Sequence, residues 1–582
     1  MRRLHTALGA SLIVAVACAD STPASESPPS TPPITGSVGV EANVCRDGCT
    51  LDLKRTCVDG APAAACDEPL GCSHGLCVSP CAAAGAHQST AGCSFYTAVP
   101  DTTSMHGACF AVALANTWSV PAKVAIEYEG IGVDVRRVLR APRGRGRDVT
   151  YEALASPEIA PGEIAIAFLA DGGSGPGACP AAIGGAGLER DVAVHGPGVG
   201  TAFHIRSSAP VTAHAFYPFA GASTGIGAAT ALFPVPSWDK SAIAVELNLP
   251  HGAGPLLQVV SAETNTAISL VPVDAIHGGG PVLASSPAGQ KLTLRPGSGE
   301  FVQFSQQTQF SLTGTFFEAT GPIALFAGSA CADSGVAACD PLFQQIPPLT
   351  HLGNEYVAVR PRNRFAEKDE STPWHLVGLA DGTELEYEPS APEGAPRQLR
   401  AGQIAQFRSS QPFVVRSQDE RHPFYAAAMM ESCRVYGTDD DCRGDPDVVT
   451  ITPTSRFGQR AAFFTDPSYP ETNLVIVRAI SGTVVPDVEL DCVPKVEGWE
   501  PVGPRFEFAR VDLSRGDFEA QGQCNNGAHV IRSAGAITAT VWGWGSPATR
   551  KAGGPNTESV SYGYSIIAEP RLGVAVAGGG PR

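Results

Sequence analysis

Four times between residues 93 and 575 the chain runs through the same signals, and this recurrence constrains its fold more than any other feature. Each unit holds an apolar run, a short polar turn and a second strand-like run: AVALANTWSVPAKVAIEY, LQVVSAETNTAISLVPV, WHLVGLADGTELEYEP and LVIVRAISGTVVPDVEL. A hydrophobic residue, two further residues and a Gly come next, at Gly162, Gly297, Gly402 and Gly516. Glycine takes a positive-φ turn without steric cost, so a strand is expected after each one. Three units then place Ser or Thr shortly before a Pro and a β-branched or aromatic run, at Pro210, Pro322 and Pro412; the fourth has Ala536 there. Pro is tolerated at the start of a strand, where a missing donor does least harm. The matching glycines lie about 105–135 residues apart, and each unit holds about six to eight strand-like runs, the size of a sandwich-like β domain.

The expected class is therefore all-β: tandem antiparallel β-sandwich-like repeats. A β-propeller is the alternative, with two blades per repeat, because single blades usually recur every 40–50 residues or so. Composition supports either. With 64 Gly, 49 Pro and only 17% charged residues, the chain is rich in turn-formers and poor in what covers exposed helix faces. At 43% hydrophobic it is too apolar to be mostly disordered. The units divide as 93–235, 236–347, 348–452 and 453–575, with a tail at 576–582.

The chain opens MRRLHTALGASLIVAVACAD: two Arg, an apolar run from Leu8 to Ala17, then Cys18. That run is short for a permanent membrane span and reads as a signal peptide over 1–17. Ala15-Val16-Ala17-Cys18 resembles the lipobox of bacterial lipoproteins, which implies lipidation of Cys18 and cleavage before it; plain secretion is the alternative. The reading places the protein at the outer membrane or cell surface of a Gram-negative bacterium, anchored through its N-terminal lipid. Residues 18–44 are Pro, Ser and Thr with little apolar mass, a flexible tether. Setting Cys18 aside makes the 17 cysteines even in number, as expected of an exported disulfide framework. Eight of them, Cys45 to Cys93, crowd a stapled module over 45–92 whose pairing the spacing leaves open. A zinc reading of Cys45-x3-Cys49 and Cys77-x3-Cys81 near His74 is the lesser alternative. The rest fall two to a unit, so one local bridge each is the simplest pairing: Cys109 with Cys179, Cys331 with Cys339, Cys433 with Cys442, and Cys492 with Cys524.

With 57 acidic against 40 basic residues the net charge is −17, which disfavours a nucleic-acid partner. Locally, Arg136, Arg137, Arg140, Arg143, Arg145 and Arg147 cluster; a solvated hairpin loop is expected, an anion-binding patch the alternative. Gly221-Ala-Ser223-Thr-Gly225 matches the G-x-S-x-G elbow of serine hydrolases, but no full-length helix follows, and neither His251 nor His422 has a spacing that singles it out. Ser223 is the remote hydrolase reading; otherwise no catalytic residue is assigned, and no metalloprotease, P-loop or dinucleotide motif is present. No cofactor is expected, with calcium left open at Asp439, Asp441 and Asp445 in an acidic run that reads chiefly as a solvated loop held by Cys433 and Cys442. Arg515-Gly516-Asp517 spells an integrin tripeptide, although Gly516 is already claimed by the repeat. Trp542, Trp544, Tyr562 and Tyr564 form two aromatic-Gly-aromatic pairs. Each pair shares one face of a strand, either half-buried core or a face that stacks on a sugar ring or a partner.

GCSFYTAVPD at Cys93, GACFAVALANTW at Trp118 and above all GPIALFAGSACADSGVAACDPLFQQIPPLTHLGNEYVAV resemble the IgGFc-binding protein N-terminal domain family. Phe326-Ala-Gly328, Cys339-Asp340, Gln344-Gln345, Pro347-Pro348, Gly353 and Tyr356 follow the family pattern, and VWGWGSP with SYGYS resembles the close of its bacterial surface lipoprotein members. The resemblance implies a non-catalytic extracellular binding or adhesion module with a protein or glycan ligand; no residue pattern marks an IgG site. A structural spacer of the cell envelope is the alternative.

Overall fold

A computed structural model of the chain describes residues 45–567, except 51, 89, 174, 248–250, 280–282, 337–338, 439, 481–484 and 551–557. The signal sequence, Cys18 and the tether lie outside the described residues, as do Asp439 and the tail.

The N-terminal module is a four-stranded sheet and a hairpin followed by helix α1 (Pro80–Ala86), capped where Ser79 accepts from the Ala82 amide at 3.4 Å. Its bridges are Cys45–Cys57, Cys49–Cys72, Cys66–Cys77 and Cys81–Cys93, the last tying α1 to the first repeat. Every cysteine of the two x3 spacings is thus spent on a disulfide, which removes the zinc reading. The module is seated by Trp118: its indole N–H donates to the Pro69 carbonyl at 2.9 Å, and a Cβ on Gly71 would lie 2.8 Å from its ring.

Repeat 1 contributes β1 (Gly92–Thr97), β2 (Phe110–Asn116), β3 (Ala122–Tyr128), β4 (Ile164–Ala170), β5 (Phe203–Tyr217) and β6 (Ala228–Leu232). Repeat 2 has β7 (Ser241–Ile243), β8 (Pro255–Ser261), β9 (Ile268–Leu270), β10 (Glu300–Ser305), β11 (Phe316–Ala319), β12 (Ile323–Asp333) and β13 (Cys339–Ile346). Repeat 3 has β14 (Glu355–Ala358), β15 (Thr372–Gly378), β16 (Thr383–Glu388), β17 (Ile404–Ser409), β18 (Phe413–Ser417), β19 (Phe424–Met430) and β20 (Asp447–Thr450). Repeat 4 has β21 (Gly458–Thr465), β22 (Glu471–Ala479), β23 (Val488–Leu490), β24 (Phe506–Arg515), β25 (Gly527–Trp544) and β26 (Ser561–Ile566).

Pairing follows one antiparallel plan throughout. In repeat 3 one sheet runs β14-β18-β16 and the other β17-β15-β19-β20. Repeat 2 does the same with β7-β11-β9 and β10-β8-β12-β13. In repeats 1 and 4 the middle strands of the two sheets are one long strand, β5 or β25, whose halves serve one sheet each. The two runs of each strand–turn–strand signal therefore do not pair with each other; in repeats 2 and 3 they leave for different sheets, and in repeats 1 and 4 for different halves of the long strand.

The four-stranded sheets stand in the manner of propeller blades. Their innermost strands β6, β13, β20 and β26 meet along a shared axis. There the Gln344 amide donates to the carbonyls of Ala229 (2.6 Å) and Gly563 (3.3 Å), and Ser565 donates to the Thr450 carbonyl. Each blade packs both faces: one apolar cluster joins repeats 1 and 2, others join 2 and 3, 3 and 4, and 4 back to 1. This is why β2, β4, β8 and β19 are buried at every residue, and why β2, β4 and β19 read as nearly unbroken apolar runs. The outer strands β3 and β16 alternate buried and exposed residues instead. The described residues form one compact unit.

Three signals sit differently from expectation. At the second Gly signal it is Gly299, not Gly297, that takes the positive φ of 75°. Gly516 has a φ of 69° but lies after β24 instead of before a full strand. The residue equivalent to Pro210 and Pro322 is Pro423, just before β19, whereas Pro412 precedes β18 of the other sheet.

Candidate functional site

A cleft of about 630 Å³ opens where repeats 3 and 4 meet, within the usual range for ligand sites. Its walls are the β14–β15 loop with Arg362 and Arg364, the β19–β20 loop with Tyr436 and Arg443, and the turn at Arg515 and Gly516. The β19–β20 loop is closed by the Cys433–Cys442 bridge. Gly437 lets Phe365 in under that loop, since a Cβ there would lie 2.6 Å from the phenyl ring.

Glu471 is the hub. It is buried, accepts from the Gly516 and Asp517 amides at 2.9 and 3.3 Å, and pairs with Arg362 and, at 3.6 Å, with Arg443. Arg362 also donates to Asp512 at 2.6 Å and lies 4.7 Å from the centroid of the Trp544 ring. Arg364 donates to Glu370 at 2.8 Å and to the carbonyls of Glu431 and Arg443 at 2.7 and 2.9 Å. Each guanidinium is thus held in place by a carboxylate, a carbonyl or an aromatic face. A rigid array of paired charges of this kind presents fixed donors and acceptors to a polar partner.

Several sequence candidates converge here and others do not. The integrin-like tripeptide is part of the wall: Arg515 pairs with Asp512 at 3.1 Å, and Asp517 accepts from Ser546. Of the calcium candidates, Asp441 is exposed and paired with Arg443 at 2.8 Å, while Asp445 is buried and turned toward the axis. Of these two described residues one is at the surface and one in the interior, so the expected solvated acidic loop holds for Asp441 and not for Asp445. Asp445 lies with Asp340 and Asp447 in an interior acidic group that the sequence reading missed. Burial pushes all three carboxyls up, Asp445 to about 7. Asp340 could have been suspected from its Cys-Asp pattern, but nothing in the sequence says that β13 and β20 meet.

Trp542, Trp544, Tyr562 and Tyr564 are all fully buried, which rules out an exposed stacking face. The two Trp face repeat 3; the two Tyr face repeat 1, where Tyr564 sits 4.7 Å from the His214 ring. The intervening glycines have a packing cause. Gly543 pairs with Tyr562, and a Cβ on it would fall 2.0 Å from that ring.

The four cysteine pairs of the repeats are bonded: Cys109–Cys179, Cys331–Cys339, Cys433–Cys442 and Cys492–Cys524. Ser223 ends a single 3-10 turn (Gly221–Ser223), not the strand-to-helix elbow of a hydrolase. His422 bonds to Asp419 at 2.8 Å, and His251 lies exposed on a short edge strand. The hairpin expected at the arginine cluster is present, Leu139–Arg143 pairing with Thr150–Ala153, and Arg143 and Arg147 are exposed on it. Arg140 is buried and donates to three carbonyls, Arg137 pairs with Glu189 and Arg143 with Glu163, and Arg145 reaches Asp491 of repeat 4. Arg147 lies over the Phe518 ring at 5.1 Å. Arg137, Arg143 and Arg145 are thus paired with carboxylates, while Arg136 and Arg147 are exposed.

The fold and the cleft define an all-β protein built to present rigid loops. The chain belongs to the IgGFc binding protein family, whose model matches residues 228–543, from β6 to the end of β25. The residues that follow the family pattern serve the scaffold: Gln344 and Gln345 bind neighbouring repeats at the axis, Tyr356 donates to the Phe424 carbonyl at 2.6 Å, and a Cβ on Gly328 would fall 1.7 Å from the Leu342 oxygen. No curated protein sequence matches the chain. A solved chain described as an anti-sigma factor domain-containing protein aligns at 8% identity over 57% of this chain and 81% of its own, with a TM-score of 0.09, too low to carry an argument. Among the described residues no helix is long and apolar enough to cross a membrane.

Proposed function

We propose that this chain is an extracellular, non-catalytic binding protein whose ring of repeats holds loop clefts for a protein partner. Family membership carries the reading. The cleft of Arg362, Arg443 and Glu471 supports it, being polar and pre-formed. A glycan is the second ligand class, and Fc is one protein among those to be tried. The finer part of the proposal is export and anchoring through a lipid on Cys18, with 18–44 as tether.

The envelope-spacer reading fits less well, because a spacer gains length from repeats strung end to end, and these repeats close on one another. Arrays of extracellular proteins, including IgG Fc, and of glycans, probed with the mature protein, test the proposal. Saturable binding that drops at least tenfold in Arg443→Glu supports it. Silence on both arrays together with self-association in solution overturns it in favour of the spacer. Anchoring is tested separately: Cys18→Ala moves the protein out of the membrane fraction if the thiol carries the lipid.

A further inference from the structure

Two loops of repeat 1 bring together a set of metal-binding side chains that no sequence motif announces. His106 comes from the β1–β2 loop; Asp191 and His195 come from the β4–β5 loop. Their ligand atoms all lie within 4.8 Å of one another. The imidazoles of His106 and His195 stack at 4.1 Å, and His195 Nε2 stands 2.9 Å from an Asp191 oxygen. Two ligands of one tetrahedral ion at about 2.0–2.1 Å sit about 3.3 Å apart, so small side-chain rotations close the set.

The surroundings are those of a built site. His106 Nε2 bonds the Thr102 carbonyl at 2.9 Å. A carbonyl only accepts, so that nitrogen carries the proton and Nδ1 keeps its lone pair. His195 Nδ1 bonds Asp101 at 2.8 Å, and Asp101 is itself buried and accepts from the Gly196 amide at 2.8 Å. A carboxylate behind the second ring nitrogen fixes the orientation of a metal-bound histidine and raises its basicity. The loops are rigidly joined. Cys109–Cys179 bridges them, the Gly172 amide donates to the Gly107 carbonyl at 2.8 Å, and Gln303 of repeat 2 grips the Val194 and Gly196 carbonyls at 2.7 Å each. His106 and His195 are exposed on the outer side, so an ion held here keeps a position open to solvent.

We propose that His106, Asp191 and His195 bind a divalent ion of the zinc class, with Asp101 as a positioning residue. Two imidazoles and a carboxylate suit zinc, nickel or copper over calcium and magnesium, which prefer all-oxygen sets. Among the described residues a second group of this kind, around Asp491 and His529, is not available: Cys492 is bonded to Cys524, and Asp491 is held by Arg145.

Calorimetric titration of the full mature protein with zinc, with calcium as control, tests the site. One zinc per chain is expected, weakened at least tenfold in His106→Ala and in His195→Ala, and by about ten- to a hundredfold in Asp101→Asn. Cobalt supplies a readout that a merely structural change would not move: visible d–d bands should appear in the parent and vanish in the two histidine variants while their melting temperatures hold. Zinc affinity unchanged in the His106→Ala, His195→Ala double variant, or an identical cobalt spectrum in it, overturns the assignment.

Discussion

Gly543 shows how one atom can decide a position. Its strand partner Tyr562 fills the space a Cβ would need, with 2.0 Å between them. Gly543→Ala is expected to cost roughly 1–3 kcal/mol by overpacking, read as a lower denaturation midpoint. Glu246 makes a second residue-scale case. It is buried, accepts from the Leu312 amide at 2.8 Å, and burial pushes its carboxyl up from 4.5 to about 7. The folded protein therefore keeps this proton at pH values where the unfolded chain has lost it, and stability falls as pH rises through that window. Glu246→Gln should melt like the parent near pH 4 and increasingly above it toward pH 8 (about 4 and 8 chosen to bracket the shift). A melting-temperature difference that stays flat across the range would contradict the buried, protonated carboxyl.

At the scale of elements, burial pattern separates two kinds of strand. FAVALAN in β2 and FYAAAMM in β19 have neighbours on both faces, whereas AKVAIEY in β3 faces solvent on one. That contrast was legible as unbroken against alternating runs. Which strand pairs with which was not, because consecutive runs such as β2 and β3 do not pair with each other but with the two halves of β5, which lies far along the chain. The Cys109–Cys179 bridge acts at this scale. It joins the loops on either side of β2 and β4 across 70 residues. Replacing both by Ser should cost roughly 2–4 kcal/mol and should weaken zinc binding as well, since the bridge holds the His106 loop against the His195 loop.

For the whole molecule, the closed ring is the central property. Each blade is apolar on both faces, so a repeat alone would expose what its neighbours cover. The protein is expected to unfold in one cooperative calorimetric transition, and a chain ending at residue 452 to aggregate. Four separate transitions would show that the repeats are independent domains after all. Closure also has an electrostatic latch. Arg145 of repeat 1 pairs with Asp491 of repeat 4, whose carboxyl is held down to about 2: burial raises it, and bonds from His529 and Arg145 outweigh that. This contribution is complete above the ordinary carboxylate range and is lost as pH falls through about 2. Arg145→Ala should therefore lower the melting temperature at neutral pH and lose that effect in strong acid.

Periodicity, turn residues and cysteine parity by themselves determined the all-β class, the fourfold recurrence and the local bridges, since each is written in residues close together along the chain. Only the tertiary structure decided that β6, β13, β20 and β26 share one axis, that the aromatic pairs at 542–544 and 562–564 are interior, and that Arg145 of the arginine cluster reaches Asp491 of repeat 4. It alone brought Asp340 to Asp445 and His106 to His195. These are contacts between segments tens to hundreds of residues apart, and a single chain carries no local trace of which distant surface will cover a given side chain.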